Sequence, residues 1–300
     1  MIMCFDIGGT TIKPAIASSS EHIKVSPPLK TPLHDYEAFI NIIASCVGDA
    51  KAISIAITGV IDPDTGILKC ANIACVDGRP LAADLATATG LSVHISNDAD
   101  CFALVEATVG VGRGHRNVFG IILGSGVGGA CVIDGQIVSG SGGSIGEWGH
   151  GSILATKISA PPYHIPHFDC RCGQSGCVNT VGGARGLEAL HHFLSTETCS
   201  SREIVNAWRD GNAAALNTLA AYVELVSPPL AFAINITGAS IVPVGGGLSD
   251  VPELIDQLDQ SVRRKILRRT TASILVKANS QHEPGLVGAA IVGFQEFKNV

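Results

Sequence analysis

The chain has 300 residues, 46% hydrophobic and only 15% charged, with a net charge of −6. That length is enough for one large core or two smaller ones, and the acidic balance argues against a nucleic-acid partner. No uninterrupted run spans a bilayer and Met1 to Asp6 lacks a basic leader region, so a cytoplasmic protein with no membrane partner is expected.

The elements alternate between strand and helix. Met3 to Ile7 reads as a strand entering a Gly-Gly-Thr turn, and Thr11 to Ala17 as its return. Tyr36 to Val47 has helical spacing, and Ile53 to Ile57 is a short buried strand. Leu81 to Thr89 (helix), Ser92 to Ser96 (strand) and Ala99 to Val109 (helix) follow. The opening device then recurs: Val118 to Leu123, a glycine loop, and Ala130 to Ile133 ending at the hairpin signal Asp134-Gly135. Beyond it lie helices at Leu187 to Phe193 and Ala213 to Ile236, and a strand from Ala239 to Val244. A helix from Val251 to Leu267, a strand from Ser273 to Lys277 and a last helical segment from Gly285 complete the chain. The basic run Arg263 to Arg269 reads as the solvated face of that penultimate helix. Two strand–glycine loop–strand units about a hundred residues apart suggest an internal duplication, each half supplying one phosphate loop.

Gly124-x-Gly126-x-x-Gly129 matches the dinucleotide fingerprint in form, but a strand rather than a helix follows it, and no Lys-Ser/Thr follows the glycines. What remains is a hairpin whose backbone N–H groups can approach phosphate closely. Asn97-Asp98 sits between strand and helix, where it could cap the helix or where Asp98 could take a proton from an attacking hydroxyl. Glu147 and His150, three residues apart, could share a pocket. Cys170, Cys172 and Cys177 form a C-x-C-x4-C trio suited to a metal, with His150, His164 and His167 as candidates for a fourth ligand. The other seven cysteines (Cys4, Cys46, Cys70, Cys75, Cys101, Cys131, Cys199) are scattered through apolar segments, as reduced core thiols would be.

In family order these pieces are Asp6-Ile7-Gly8-Gly9-Thr10, Asn97-Asp98-Ala99-Asp100-Cys101, Leu123 to Gly129, Gly146-Glu147-Trp148-Gly149-His150, Cys170 to Cys177 and Gly245-Gly246-Gly247-Leu248-Ser249. They resemble the ROK family (repressors, open reading frames and sugar kinases) over nearly the whole chain. The resemblance implies an α/β, actin-like (ribonuclease H-like) duplicated fold and ATP-dependent phosphorylation of a hexose 6-hydroxyl. The expected domains are 1–116, and 117–284 with a C-terminal helix 285–300 packing back on the first. By the same resemblance Asp98 is the base, and Asn72, Asn97, Glu147, His150 and Asn179 meet the sugar. Gly8, Gly9, Thr10, Thr11, Gly124, Ser125, Gly126, Gly128, Gly245, Gly246 and Gly247 would line the nucleotide with Mg2+. His150, Cys170, Cys172 and Cys177 would hold a structural Zn2+.

Within the family the chain looks most like bacterial N-acetylglucosamine kinases, although Trp148 is similar to ROK fructokinases. A homodimer is expected. Two departures bear on the reading: Thr11 stands where Lys is usual, with Lys13 displaced, and Asn179 replaces a sugar-binding Glu. The alternatives are a ROK fructokinase or glucokinase, and a sugar-binding member without kinase activity. A repressor would carry a helix-turn-helix domain ahead of the first motif, which here begins at residue 6.

Overall fold

The computed structural model describes residues 1–159, 161, 164–279 and 283–297, so the expected end of the last helix at 298–300 lies outside the described residues. The chain divides into two compact units. The first comprises 1–108, 136–145 and 279–300, and the second 109–135 and 146–278. The division read from the sequence differs from this in assigning 109–116 to the first unit and 136–145 and 279–284 to the second.

The first unit contains β1 (Ile2–Ile7), β2 (Thr11–Ala17), β3 (Ile23–Val25), β4 (Leu29–Lys30), α1 (Tyr36–Cys46), β5 (Ala52–Ile57), β6 (Val60–Ile61), β7 (Leu68–Lys69), α2 (Leu81–Thr89), β8 (Ser92–Asn97) and α3 (Asp98–Thr108). Its main sheet runs β3-β2-β1-β5-β8, with β1–β2 antiparallel and β1–β5 and β5–β8 parallel. Strand β5 is buried at every position, as a parallel strand with both faces covered must be. On one face Phe39 and Ile43 of α1 and Leu81 and Leu85 of α2 pack with Phe5 and Ile55. On the other, Cys4 and Ala56 meet Cys101 of α3 and Leu286, Ala289 and Ala290 of the last helix. That helix crosses α3 closely because Gly288 has no side chain: a Cβ there would lie 2.7 Å from the Cys101 Cα.

The second unit begins with β9 (Asn117–Leu123) and β10 (Val127–Ile133). The short strand β11 (Gln136–Ile137) belongs to the first unit's segment 136–145. Then follow α4 (Asn179–Gly182), α5 (Ala184–Ser195), α6 (Ser201–Arg209), α7 (Ala213–Thr237), β12 (Val242–Gly245), α8 (Pro252–Arg263) and β13 (Leu275–Lys277), while α9 (Pro284–Glu296) returns to the first unit. The order β10-β9-β12-β13 repeats β2-β1-β5-β8, with the same antiparallel, parallel, parallel sequence of pairings. The duplication is thus present in topology. Among the described residues α7 is one helix long and apolar enough to cross a membrane, but 61% of its apolar window is buried and Tyr222, Leu225 and Leu230 sit in the core.

Some expectations are corrected. Strand β12 begins at Val242 rather than Ala239, and α8 stops at Arg263, four residues short of Leu267. The run Arg263 to Arg269 is therefore not a helix face. Arg263 turns back to Asp259 at 2.7 Å, and the Leu267 N–H donates to Asn235 Oδ1 on α7, which draws the chain off the helical path. Helix α6 was not foreseen, although Ser200-x-x-Glu203 is a capping box and both of its bonds are formed.

Candidate functional site

The first glycine loop is the turn between β1 and β2. The Gly8 N–H donates to Thr11 O at 3.0 Å, and the Thr31 hydroxyl donates to Gly8 O at 2.7 Å. Asn72 lies over the turn, its backbone oxygen 3.2 Å from where a Gly9 Cβ would be. Asp6, at the end of β1, stands opposite Lys13, 3.9 Å away, and burial raises its carboxyl above the usual range against the pull of that lysine. Lys13 in turn donates to Glu283 at 2.6 Å.

At the junction of β8 and α3 both Asn97 and Asp98 bond to the start of the helix. Asn97 Oδ1 accepts from the Ala99 N–H at 2.8 Å while its Nδ2 donates to Gly59 O at 2.8 Å, so Asn97 starts the helix and ties it to the end of β5. Asp98 Oδ1 accepts from the same N–H at 2.9 Å, and Oδ2 accepts from the Thr58 hydroxyl at 3.1 Å. Burial raises the Asp98 carboxyl above 3.8, only partly opposed by those donors. Thr58 was not foreseen, since only the β5–β8 pairing brings it to Asp98. Asn97 also lines a cavity of about 270 Å³ with His94, Ser96, Val60 and Glu296.

In the second unit the loop Gly124 to Gly129 joins β9 to β10. Its carbonyls receive the first amides of α5, Ala184 N–H to Gly124 O at 2.7 Å and Arg185 N–H to Ser125 O at 3.4 Å. Some glycines of this and the other glycine-rich turns are required by packing. A side chain at Gly126 would strike Asn179, one at Gly129 would lie 2.7 Å from Trp148, and Gly246, with φ +84°, is pressed against Leu123. Others are not: a Cβ at Gly8, Gly124 or Gly247 would touch nothing nearer than 3.6 Å, and none of the three has a positive φ. The space beside these three Cα atoms is left unfilled by the chain, although the Gly8 and Gly124 N–H groups donate to Thr11 O and Gly126 O. A second cavity of about 300 Å³ lies beside Gly247 and is lined by Arg202, Asn206 and Arg209 of α6 and by Ala184 and Leu248. Its α6 residues were missed with the helix itself.

The Cys-rich segment closes on the Glu147–His150 turn, in which the His150 N–H donates to Glu147 O at 3.0 Å. The ligand atoms of His150, Cys170, Cys172 and Cys177 all lie within 4.8 Å of one another. Cys172 and Cys177 are 3.6 Å apart and His150 Nδ1 is 3.7 Å from Cys170 Sγ. Sulfurs about 2.3 Å from one tetrahedral ion would be about 3.8 Å apart, so the donors fit such a cation. His167 is turned elsewhere: its Nε2 meets Leu154 O at 2.9 Å and its ring covers Gly176. The second His150 nitrogen, Nε2, lies 3.9 Å from Glu147 Oε2. Asn179 bridges cluster and loop, its Oδ1 accepting from the Val127 N–H at 2.8 Å and its Nδ2 facing Cys170 Sγ at 3.8 Å. Trp148 is fastened to the same loop through Nε1–H to Gly128 O at 3.0 Å.

Gly8, Gly9, Thr10, Thr11, Asn72, Asn97 and Asp98 therefore fall in the first unit, and Gly124 to Gly128, Glu147, His150, the three cysteines, Asn179 and Gly245 to Gly247 in the second. A sequence model of the ROK family matches residues 2–296. The N-acetylgalactosamine kinase AgaK of Shewanella sp. (strain ANA-3) is 33% identical over 295 residues, 96% of this chain and 95% of its own. The N-acetyl-D-glucosamine kinase of Pasteurella multocida (strain Pm70) is 31% identical, covering 95% of this chain and 97% of its own. A ROK hexokinase from Thermus thermophilus superposes with a TM-score of 0.85 at 25% identity, over 100% of this chain and 99% of that one. A ROK family glucokinase from Streptomyces griseus, solved with glucose and AMPPNP, superposes at 0.72 with 25% identity, over 98% and 99%.

Proposed function

The chain belongs to the ROK family, with its actin-like, duplicated ribonuclease H-like fold, and from that membership we propose that it is a cytoplasmic, ATP-dependent kinase acting on the 6-hydroxyl of an N-acetylated hexosamine, N-acetyl-D-glucosamine first. The observation that carries the chemistry is Asp98, a carboxylate at a strand end whose pKa is raised by burial and whose oxygens are aimed by Thr58 and Ala99. Asp98 accepts the proton of the sugar hydroxyl as its oxygen forms a bond to the γ-phosphorus. The bond from that phosphorus to the bridging oxygen breaks, and ADP leaves.

Gly8, Gly9, Thr10 and Thr11 would meet phosphate, as would Gly124, Ser125, Gly126 and Gly128. Glycines with no internal reason to lack a side chain support that role. Gly245, Gly246 and Gly247 beside the α6 cavity would take the adenosine. Asp6, the carboxylate nearest the first loop, fits a hard cation that is mostly held by phosphates and water, and Mg2+ bound there would neutralise phosphate charge. The thiol and imidazole donors fit Zn2+ filled by four protein ligands, a structural ion with no open position. Asn72, Asn97, Glu147 and His150 are the sugar contacts, and Asn179 shapes that side of the site.

N-acetyl-D-galactosamine is the second reading, carried by the 33% identical relative. A coupled assay of ADP release with ATP and Mg2+ across N-acetylglucosamine, N-acetylgalactosamine, N-acetylmannosamine, glucose, fructose and mannose tests the proposal. The highest kcat/KM is expected on N-acetylglucosamine. Turnover confined to fructose or glucose, or none on any sugar, overturns it.

A further inference from the structure

A second cluster of donors lies at the other end of α5 from the glycine loop. A ring nitrogen of His191, a carboxylate oxygen of Glu197 and Cys199 Sγ all lie within 4.8 Å of one another. His191 is 2% exposed, so its ring nitrogens are held by partners inside the chain. Its Nδ1 is 2.8 Å from the Thr218 hydroxyl, which itself donates to the Ala214 carbonyl at 2.9 Å. In the tautomer protonated at Nδ1, which fits a Thr218 hydroxyl whose proton goes to Ala214, the imidazole donates to Thr218 Oγ1. Nε2 then carries the lone pair and points to Glu197 Oε2, 3.7 Å away. A histidine fixed by a hydrogen bond from its far nitrogen is how proteins orient a metal ligand.

The loop that supplies the other donors is already shaped. Thr196 closes α5 with φ +65°, a conformation a β-branched residue adopts at a cost. The Glu197 N–H donates to Ser195 Oγ at 3.1 Å, and the Ser195 hydroxyl donates to His191 O at 2.8 Å. Glu197 is exposed and Cys199 half-buried, so an ion can enter from solvent. From these observations we infer that His191, Glu197 and Cys199 form a second metal site, taking a borderline divalent ion such as Zn2+.

One nitrogen, one oxygen and one sulfur suit zinc and disfavour Mg2+ or Ca2+, which want oxygen alone. Nitrogen and oxygen ligands of one tetrahedral zinc lie about 3.4 Å apart, close to the distance found. Three protein ligands leave one position for water, unlike the four-ligand cluster around Cys170. Cys199 leads directly into Ser200, the cap of α6, and the Ser201 N–H is held by Glu188 of α5 at 2.7 Å. An ion here would therefore fix the start of the helix that lines the Gly247 cavity. This inference does not depend on which sugar is phosphorylated, or on whether any is.

The test is metal stoichiometry by elemental analysis after equilibration with excess zinc and removal of loosely bound ion, on wild type, Cys199→Ser and Glu197→Gln. Both substitutions lie at exposed or half-buried positions, and unchanged far-ultraviolet circular dichroism confirms that the variants are folded. Cys199→Ser should bind one zinc fewer per chain than wild type, and Glu197→Gln should bind that ion at least tenfold more weakly. Cobalt substitution gives an independent readout, since the thiolate-to-cobalt band should lose the part contributed by Cys199. Equal zinc stoichiometry in wild type and Cys199→Ser overturns the site, whatever the occupancy of the Cys170 cluster.

Discussion

At Asp98 two demands pull against each other. Burial makes the ionised carboxylate less stable in the fold than in the unfolded chain, which is what raises its pKa above 3.8. Below that value both states are protonated and nothing is lost. As pH rises through the raised pKa, the fold carries the cost of the charge in full. Asp98→Asn should therefore melt higher than wild type at neutral pH, with the difference vanishing in acid, while kcat falls by about 10²–10⁴ because the amide cannot take a proton. The wild-type acid limb of kcat/KM should lie above 3.8. A variant that keeps more than about a tenth of the activity would leave Asp98 as a helix-start residue only. Asn179 poses a different question at the same scale. Removing its bond to the Val127 N–H costs about 1 kcal/mol, so Asn179→Ala should raise the KM for ATP about fivefold by loosening the second glycine loop. Asn179→Glu separates the two roles open to this position. A change in relative activity across the sugar panel assigns it to the sugar, whereas unchanged ratios with a higher KM for ATP assign it to the loop.

At the scale of elements, the described residues of 151–178 show two isolated bridges, Lys157 to His164 and Asp169 to Ser175, and no named strand or helix. Zinc at the Cys170 cluster would be the main brace of this stretch, tying it to the Glu147–His150 turn. Cys172→Ser and His150→Ala should each bind one zinc fewer per chain than wild type, and His150→Ala should also weaken sugar binding. His167→Ala should keep its zinc, because His167 spends its Nε2 on Leu154 O. Zinc retained by His150→Ala and lost from His167→Ala would reverse the assignment. The C-x-C-x4-C spacing made the cluster visible in the sequence, but the fourth ligand was not, since three histidines compete along the chain and only folding turns His150 Nδ1 inward. The same holds for α6. It is short and mostly polar, so its few apolar residues, Ile204, Val205 and Trp208 on one face, and the capping box that announces it are easily overlooked. Strand β5, by contrast, is a continuous apolar run and was read nearly to its ends. Thr58 could not be read at all as a partner of Asp98, because the contact spans forty residues.

At the scale of the whole molecule, the duplication was legible because each half opens with the same strand, glycine turn and returning strand. The excursion of residues 136–145 into the first unit was not, because nothing in its composition marks which core it joins. The apolar surface of the second unit bears on assembly. Phe232 and Ile236, one turn apart on α7, are 64% and 68% exposed, and Leu267, whose amide is bound to Asn235 of the same helix, is 89% exposed. Isolated exposed apolar residues need no explanation, but Phe232 and Ile236 one turn apart on one helix, with Leu267 tied to Asn235 of that helix, do. We expect a second copy of this chain to cover them. Light scattering should give the mass of two chains, and the double substitution Phe232→Ser with Ile236→Ser should shift it toward one. Because both residues are solvent-exposed, each change should cost the fold only about 0.5 kcal/mol, so kcat and the melting profile of the dissociated chain become readable on their own. A wild-type mass of one chain at micromolar concentration, or a double variant that stays dimeric, would place the interface elsewhere or remove it.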